Sequence, residues 1–231
     1  RLNSDAHDAP VLLTSEGFSP LFSMVVPPAM TGEKMVRNES FWSEKMNTQV
    51  INPSLSIHDD GLLEGGMSSG SRDGEGVPRR QQALVEDGRL TSMLWSTRDA
   101  AQQVAEGRID GAQSTGSATS GGHQSPPSTG CTELFLTSTQ PAQSTDQLLE
   151  RMGDGYIVNS VMGAHTANPS SGDFSVTTSS ILKVEGGGQP WLTDYLSFWG
   201  VRQGETHLPS YLGYDWFSRI SHGPAVHLLY V

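Results

Sequence analysis

Short apolar runs separated by turn residues dominate this chain, and their spacing alternates between two and three to four residues. Residues 11–13 open as a strand, and Ser19 followed by Pro20 predicts the start of a short helix ending near Pro27-Pro28. Residues 33–48 are amphipathic, with Met35, Phe41, Trp42 and Met46 as their apolar members. Between 50 and 57 apolar and polar positions alternate, which predicts a half-buried strand. Residues 59–78 are Gly-rich, carry no period and read as a loop. Asp87-Gly88 between two apolar-containing runs predicts a hairpin of 82–86 with 89–95, and 97–106 then reads as a helix stopped by Gly107. Residues 110–130 are low in complexity and predict a long surface loop. A strand is expected over 132–136. Ser144 with Gln147 forms a capping-box signature for a helix over 145–152, ended by Gly153 and Gly155. Strands are expected at 156–161, 174–178 and 181–184, with Gly186–Gly188 closing the last. The whole reads as an α+β fold, predominantly antiparallel sheet with a few short helices.

Composition narrows the function more than the fold. Of 231 residues only 35% are hydrophobic and 17% charged, and Gly, Ser and Thr are abundant, so the core must come from short strands. The formal net charge is −11, from 25 acidic and 14 basic residues. A surface of that sign argues against nucleic acid, whose phosphates require clustered Lys and Arg. No apolar run approaches the roughly 18–20 residues a membrane helix needs. One cysteine, Cys131, permits no intrachain disulfide, and with no secretory leader the expected compartment is the cytoplasm. The chain starts with Arg, which reads as a trimmed or partial polypeptide. Aromatic residues crowd the last 40 positions, among them Trp191, Tyr195, Phe198, Trp199, Tyr211, Tyr214, Trp216 and Phe217, and are expected in a core or interface.

Candidate chemistry is sparse. Gly66-Met67-Ser68-Ser69-Gly70 fits the nucleophile-elbow pattern, but that motif needs a buried strand before it and a helix after it, and here it lies in a loop. Cys131 would need a positioned base to act as a nucleophile, with His123 and His165 the candidates; a small buried residue at a strand start is the stronger reading. His58-Asp59-Asp60 and Asp73 with Glu75 invite a calcium site, yet no EF-hand spacing is present and Asp/Gly turns have backbone reasons of their own. His165, beside Asn168-Pro169, either hydrogen-bonds within the Gly172-Asp173-Phe174-Ser175 turn or faces a partner. In that turn Asp173 is expected to cap through its side-chain oxygen, with Gly172 at positive φ and Phe174 as a core anchor. No residue is assigned a catalytic or metal-binding role, and the substrate- or partner-facing candidates are His165, Asn168, Asp173 and His123.

Several blocks, in one order, resemble the C-terminal domain of the TldD/PmbA family. Pro27-Pro28-Ala29-Met30 to Gly32 leads into SFWSEKMNTQVINPSLSIHDDG. Arg72-Asp73-Gly74-Glu75-Gly76-Val77-Pro78 is similar to the family's "fDdEGvp" turn and runs into LVEDGRLTSMLWSTRDA, like its hairpin and helix. Ser114-Thr115-Gly116-Ser117-Ala118 is similar to a "tGna" motif, with Ser117 where the family commonly has Asn. Cys131 to Leu136 looks like a "tNl.l" strand, and MGAHTANPSSGDFS supplies the last block. The blocks cover about residues 20–190, and the sequence after Pro190 departs from the family's "GN" helix.

The resemblance implies one domain over 1–231, lacking the family's N-terminal α/β domain. It also implies a choice between two subunit types. TldD-type subunits carry zinc on an HExxxH helix, two imidazoles reaching one metal while a Glu acts as base. None of the seven His here is followed by Glu, so the resemblance is to the TldE (PmbA) type. It implies a non-catalytic subunit of a zinc metallopeptidase heterodimer acting on unfolded peptides, with no cofactor in this chain and Zn on a TldD-type partner. Two other classes stay open: a β-rich binding or assembly protein with no peptidase role, and a hydrolase using Ser68 or Cys131.

Overall fold

The computed structural model describes residues 10–120, 122, 124–192 and 196–200. Its elements run β1 (Val11–Leu13), α1 (Ser15–Ala29), α2 (Gly32–Val36), β2 (Leu55–Asp60), β3 (Gln81–Glu86), β4 (Arg89–Leu90), α3 (Thr97–Ala105), β5 (Ala118–Thr119) and β6 (Ser128–Thr129). They continue with β7 (Leu134–Ser138), α4 (Thr145–Met152), β8 (Gly155–Met162), β9 (Phe174–Val184), β10 (Trp191–Leu192) and β11 (Leu196–Gly200). Antiparallel pairing predominates, as the alternation required. Two compact units form: one from Arg1–Val25 with Gln140–Val231, the other from Val26–Thr139.

The first unit is built on a sheet in the order β1-β8-β9-β10, with β11 also pairing β9. β1 joins β8 in parallel, Val11 opposite Tyr156; the other pairs are antiparallel. Leu12, Leu148, Leu149, Met152, Ile157 and Val184 form a buried cluster under the sheet, each side chain contributing about 1.5–3 kcal/mol on burial. α4 starts as the capping box required: Ser144 Oγ accepts from Gln147 N–H, and Gln147 Oε1 accepts from Ser144 N–H at 2.8 Å. Two expectations are corrected. The strands expected at 174–178 and 181–184 are one, β9, because polar Ser179-Ser180 continues the ladder opposite β8, which shifts register twice to follow it. The helix expected at Ser19 begins at Ser15. Thr14 caps it, its carbonyl accepting from Phe18 N–H at 2.8 Å, and Pro20 is carried inside. Leu21, Val25, Val26 and Ala29 are all fully buried, a helical stripe that outweighs the missing proline N–H groups. Within the first unit, Gly17 lets α1 lie on β8: a Cβ there would stand 2.6 Å from the Val158 carbonyl oxygen.

The second unit carries an antiparallel sheet ordered β4-β3-β2-β7 and a separate two-stranded ladder of β5 with β6. The Asp87-Gly88 hairpin forms as expected, both residues at positive φ, joining β3 to β4. α3 is capped by Ser96 and stops at Gly107, φ 67°. The strand expected over 50–57 lies five residues later. Ile51 is buried in a bend before it, and Ile57 and Asp59 take the inward positions of β2. The segment 110–130 is not simply a surface loop, since Thr115, Ser117 and Ala118 are buried and β5 pairs β6 within it. From residue 201 the aromatic C-terminal segment lies outside the described residues.

Candidate functional site

The motifs singled out in the second unit converge on one buried polar network. Asp73 turns the chain at 73–77 by accepting from Glu75 N–H at 2.9 Å and Val77 N–H at 2.8 Å through Oδ1. Its Oδ2 accepts from Ala118 N–H at 3.0 Å. Glu75 reaches the first turn of α3, where its carboxylate accepts from the Thr97 and Arg98 N–H groups, the latter at 3.0 Å. An anion at that end complements the helix dipole. Asp99 then ties α3 to β6: its Oδ2 accepts from the N–H of Thr129 at 3.2 Å and from its hydroxyl, while Thr129 Oγ1 accepts from Ser96 N–H at 2.8 Å. The 114–118 loop is held by Thr115, whose Oγ1 accepts from Trp95 N–H at 2.8 Å, and by Arg80, which donates to the Thr115 and Ser114 carbonyls at 3.1 and 3.2 Å. Ser117, 0% exposed, bonds the Thr115 hydroxyl at 2.8 Å and accepts from Gln82 Nε2 at 3.1 Å. Gly116, at φ 75°, lies against Pro78, whose carbonyl oxygen would stand 2.5 Å from any Cβ there.

This arrangement decides between the two readings of the acidic turns. Both Asp73 oxygens are taken by backbone N–H groups, so the turn reading holds. Asp60 likewise accepts from Leu62 N–H at 2.9 Å. Among the described residues no group of three or more His, Cys, Asp or Glu is placed to hold a metal ion. Ser68 sits in a turn-rich loop with its N–H donating to Glu133 Oε1 at 2.6 Å, and no helix follows before α3, so the strand–turn–helix of a nucleophile elbow is absent there.

Beside the network lies a groove of about 560 Å3, lined by Pro27 and Pro28 at the end of α1, Glu33 and Lys34 of α2, Arg98, Asp99 and Gln102 of α3, and the stretch Ser128 to Cys131. Periodicity gave no sign of it, because its walls come from four separate segments. Its lining at Cys131 is chemically quiet. Burial, with the nearby charges of Asp59 and Glu133, pushes the Cys131 thiol up to about 11, so it is protonated at neutral pH. Asp59, 1% exposed, has its carboxyl raised by burial, against a 2.7 Å hydrogen bond from Thr132 N–H and the charge of Arg79. The reading of Cys131 as a structural residue fits this environment.

In the first unit, His165, Asn168 and Asp173 fall on one capped connection between β8 and β9. His165 is exposed in a single 3-10 turn, Ala164–Thr166, preceded by Gly163. Asn168 and Asp173 face each other across a bridge: Asn168 N–H donates to the Asp173 carbonyl at 2.8 Å and Gly172 N–H to the Asn168 carbonyl at 2.7 Å. Asn168 Oδ1 caps the turn by accepting from Ser170 N–H at 2.9 Å. Asp173 accepts from the Ser171 hydroxyl at 2.7 Å. Gly172 has φ 78° and Phe174 is buried, as the turn pattern required. His123 lies outside the described residues.

A family model for the PmbA/TldA metallopeptidase C-terminal domain matches residues 6–190. The chain belongs to the TldD/PmbA family. Among curated TldD/PmbA relatives, an uncharacterised protein of Methanocaldococcus jannaschii is 32% identical over 167 residues, 72% of this chain and 36% of its own length. A metalloprotease TldD homolog of Haemophilus influenzae is 26% identical over 178 residues, 77% of this chain and 35% of its own. The chain thus spans about a third of the curated relatives it matches. The crystal structure of TldE from Thermococcus kodakarensis has the same fold, with a TM-score of 0.68 at 23% identity over 83% of this chain and 41% of that one. Loops 73–78 and 114–118, which carry two of the family-like motifs, are the loops that close the polar network.

Proposed function

We propose that this chain is a TldE-type, zinc-free subunit of a metallopeptidase assembly that acts on unfolded peptides, and that its residues form one C-terminal-type domain of that family. The observation that supports the reading is membership of the TldD/PmbA family, together with a fold shared with TldE from Thermococcus kodakarensis. Zinc hydrolysis of a peptide needs two imidazoles on one helix face, a third ligand and a carboxylate base near the metal-bound water. A TldD-type partner would supply these. This subunit would contribute shape and contact surface: the turn with His165, Asn168 and Asp173 facing partner or substrate, with His123 a further such residue. Outer strand β7, with Phe135 exposed, ends its sheet among the described residues and would present that side to an extended peptide. No helix among the described residues is long and apolar enough to cross a membrane, and the reading places the assembly in the cytoplasm.

The direct test is turnover of an unfolded, quenched-fluorescence peptide by the purified chain, with and without chelator. The chain alone is expected to give no turnover above buffer. Peptidase activity from the chain alone that a chelator abolishes overturns the proposal.

A further inference from the structure

The groove of the second unit is lined by four charged residues, two acids and two bases, that differ in how they are partnered. Both acids have partners within the fold. Glu33 pairs with Arg37 at 3.1 Å, and Asp99 binds the Thr129 backbone and hydroxyl. The two bases do not: no ion pair or hydrogen bond from the side chains of Lys34 or Arg98 is formed among the described residues. The wall's other polar side chains are largely satisfied as well. Thr31 donates to the Pro28 carbonyl, Gln102 to Glu106, and Thr119 to the Ser128 carbonyl. α2 packs against α3, which brings the two cation-bearing helices together, and Pro27 and Pro28 add a stretch of lining without backbone donors.

We propose that this groove is a carboxylate-recognition site for short peptide segments, with Lys34 and Arg98 as the two arms that hold the carboxylate. The choice of a peptide as the carrier rests on the peptidase-assembly reading above; the choice of a carboxylate rests on the groove. Two cations suit one carboxylate, Arg by its planar pair of N–H donors and Lys as a point charge. They are too few for a nucleic-acid backbone, whose affinity grows with each phosphate neutralised. The volume falls in the range of about 300–1,000 Å3 typical of sites for single small ligands. The carboxylate could be a chain terminus or an acidic side chain, and the test separates them.

The experiment measures fluorescence anisotropy of short labelled peptides titrated with the chain: a neutral peptide with a free C-terminal carboxylate, its C-terminal amide, and that amide carrying one internal glutamate. Binding is expected for the first, weakening by about tenfold in each of Lys34→Gln and Arg98→Gln and falling further as salt rises. Lys45→Gln, outside the groove, is expected to leave it unchanged. Binding of the internal glutamate peptide as well identifies side chains as a second source of the carboxylate; its absence restricts the site to chain termini. Far-UV circular dichroism of the variants checks that they fold. Equal binding of the plain amide, unchanged affinity in the double variant K34Q/R98Q, or no binding of either carboxylate peptide overturns the proposal. None of these results depends on zinc or a partner chain, so they leave the peptidase reading to stand or fall separately.

Discussion

At Asp59 the strand period overrides charge. It occupies an inward position of β2, two residues after Ile57, and burial raises its carboxyl against the Thr132 N–H bond and the charge of Arg79. Desolvating a carboxylate is costly, and what holds it inside is hydrogen bonding to backbone that would otherwise be unpaired. The same residue discourages chemistry next door, since its charge adds to the burial that keeps Cys131 protonated. With the thiol moved from 9.0 to about 11, the thiolate fraction at pH 8 falls about a hundredfold. Iodoacetamide is therefore expected to label folded Cys131 about a hundred times more slowly at pH 8 than the urea-unfolded chain, with the rate climbing until pH passes about 11. Labelling as fast as an unfolded thiol would show an activated cysteine. The structural reading of Cys131 was legible in the sequence, as a lone Cys at a strand start, but the charge beside it was not. An Asp in an alternating run reads as a turn residue until the ladder shows which face it takes.

Local signals were reliable where a short stretch of chain satisfies its own hydrogen bonds. Ser144 with Gln147 and Asp87-Gly88 each work within four residues, and both formed as expected; Ser96 caps α3 at the same short range. Ser144→Ala is expected to cost about 1 kcal/mol, because the Gln147 N–H in the first turn of α4 loses its partner and Leu148, Leu149 and Met152 are held less firmly in their cluster. Urea denaturation monitored by circular dichroism reads this, and no change in midpoint would show that packing alone sets α4. Signals failed where long-range pairing decides. Ser19-Pro20 is a sound local start for a helix, yet the Thr14 cap and buried Phe18 start α1 before it, and the buried stripe continues through Leu21, Val25 and Ala29. Residues 110–130 look featureless because Thr115, Ser117 and Thr129 satisfy partners at Trp95, Gln82, Asp99 and Ser96, positions that composition cannot link.

Across the whole molecule, the α+β class was legible from alternation and turns, but the division into two units was not, because the first unit takes both ends of the chain. The family-like motifs fared differently from the catalytic ones. Asp73-Gly74-Glu75 and Thr115-Gly116-Ser117 close the polar network of the second unit, so their order in the sequence reports the fold. His165, Asn168 and Asp173 share a connection whose backbone is capped from within, with the imidazole exposed. The central claim is that this fold serves a zinc peptidase without holding the zinc. Native mass spectrometry of the protein isolated from its source, with metal analysis of the same fractions, tests it most directly. The account predicts a zinc-containing assembly of this chain with a second chain bearing an HExxxH helix. A metal-free homo-oligomer, or zinc travelling with this chain alone, would contradict it.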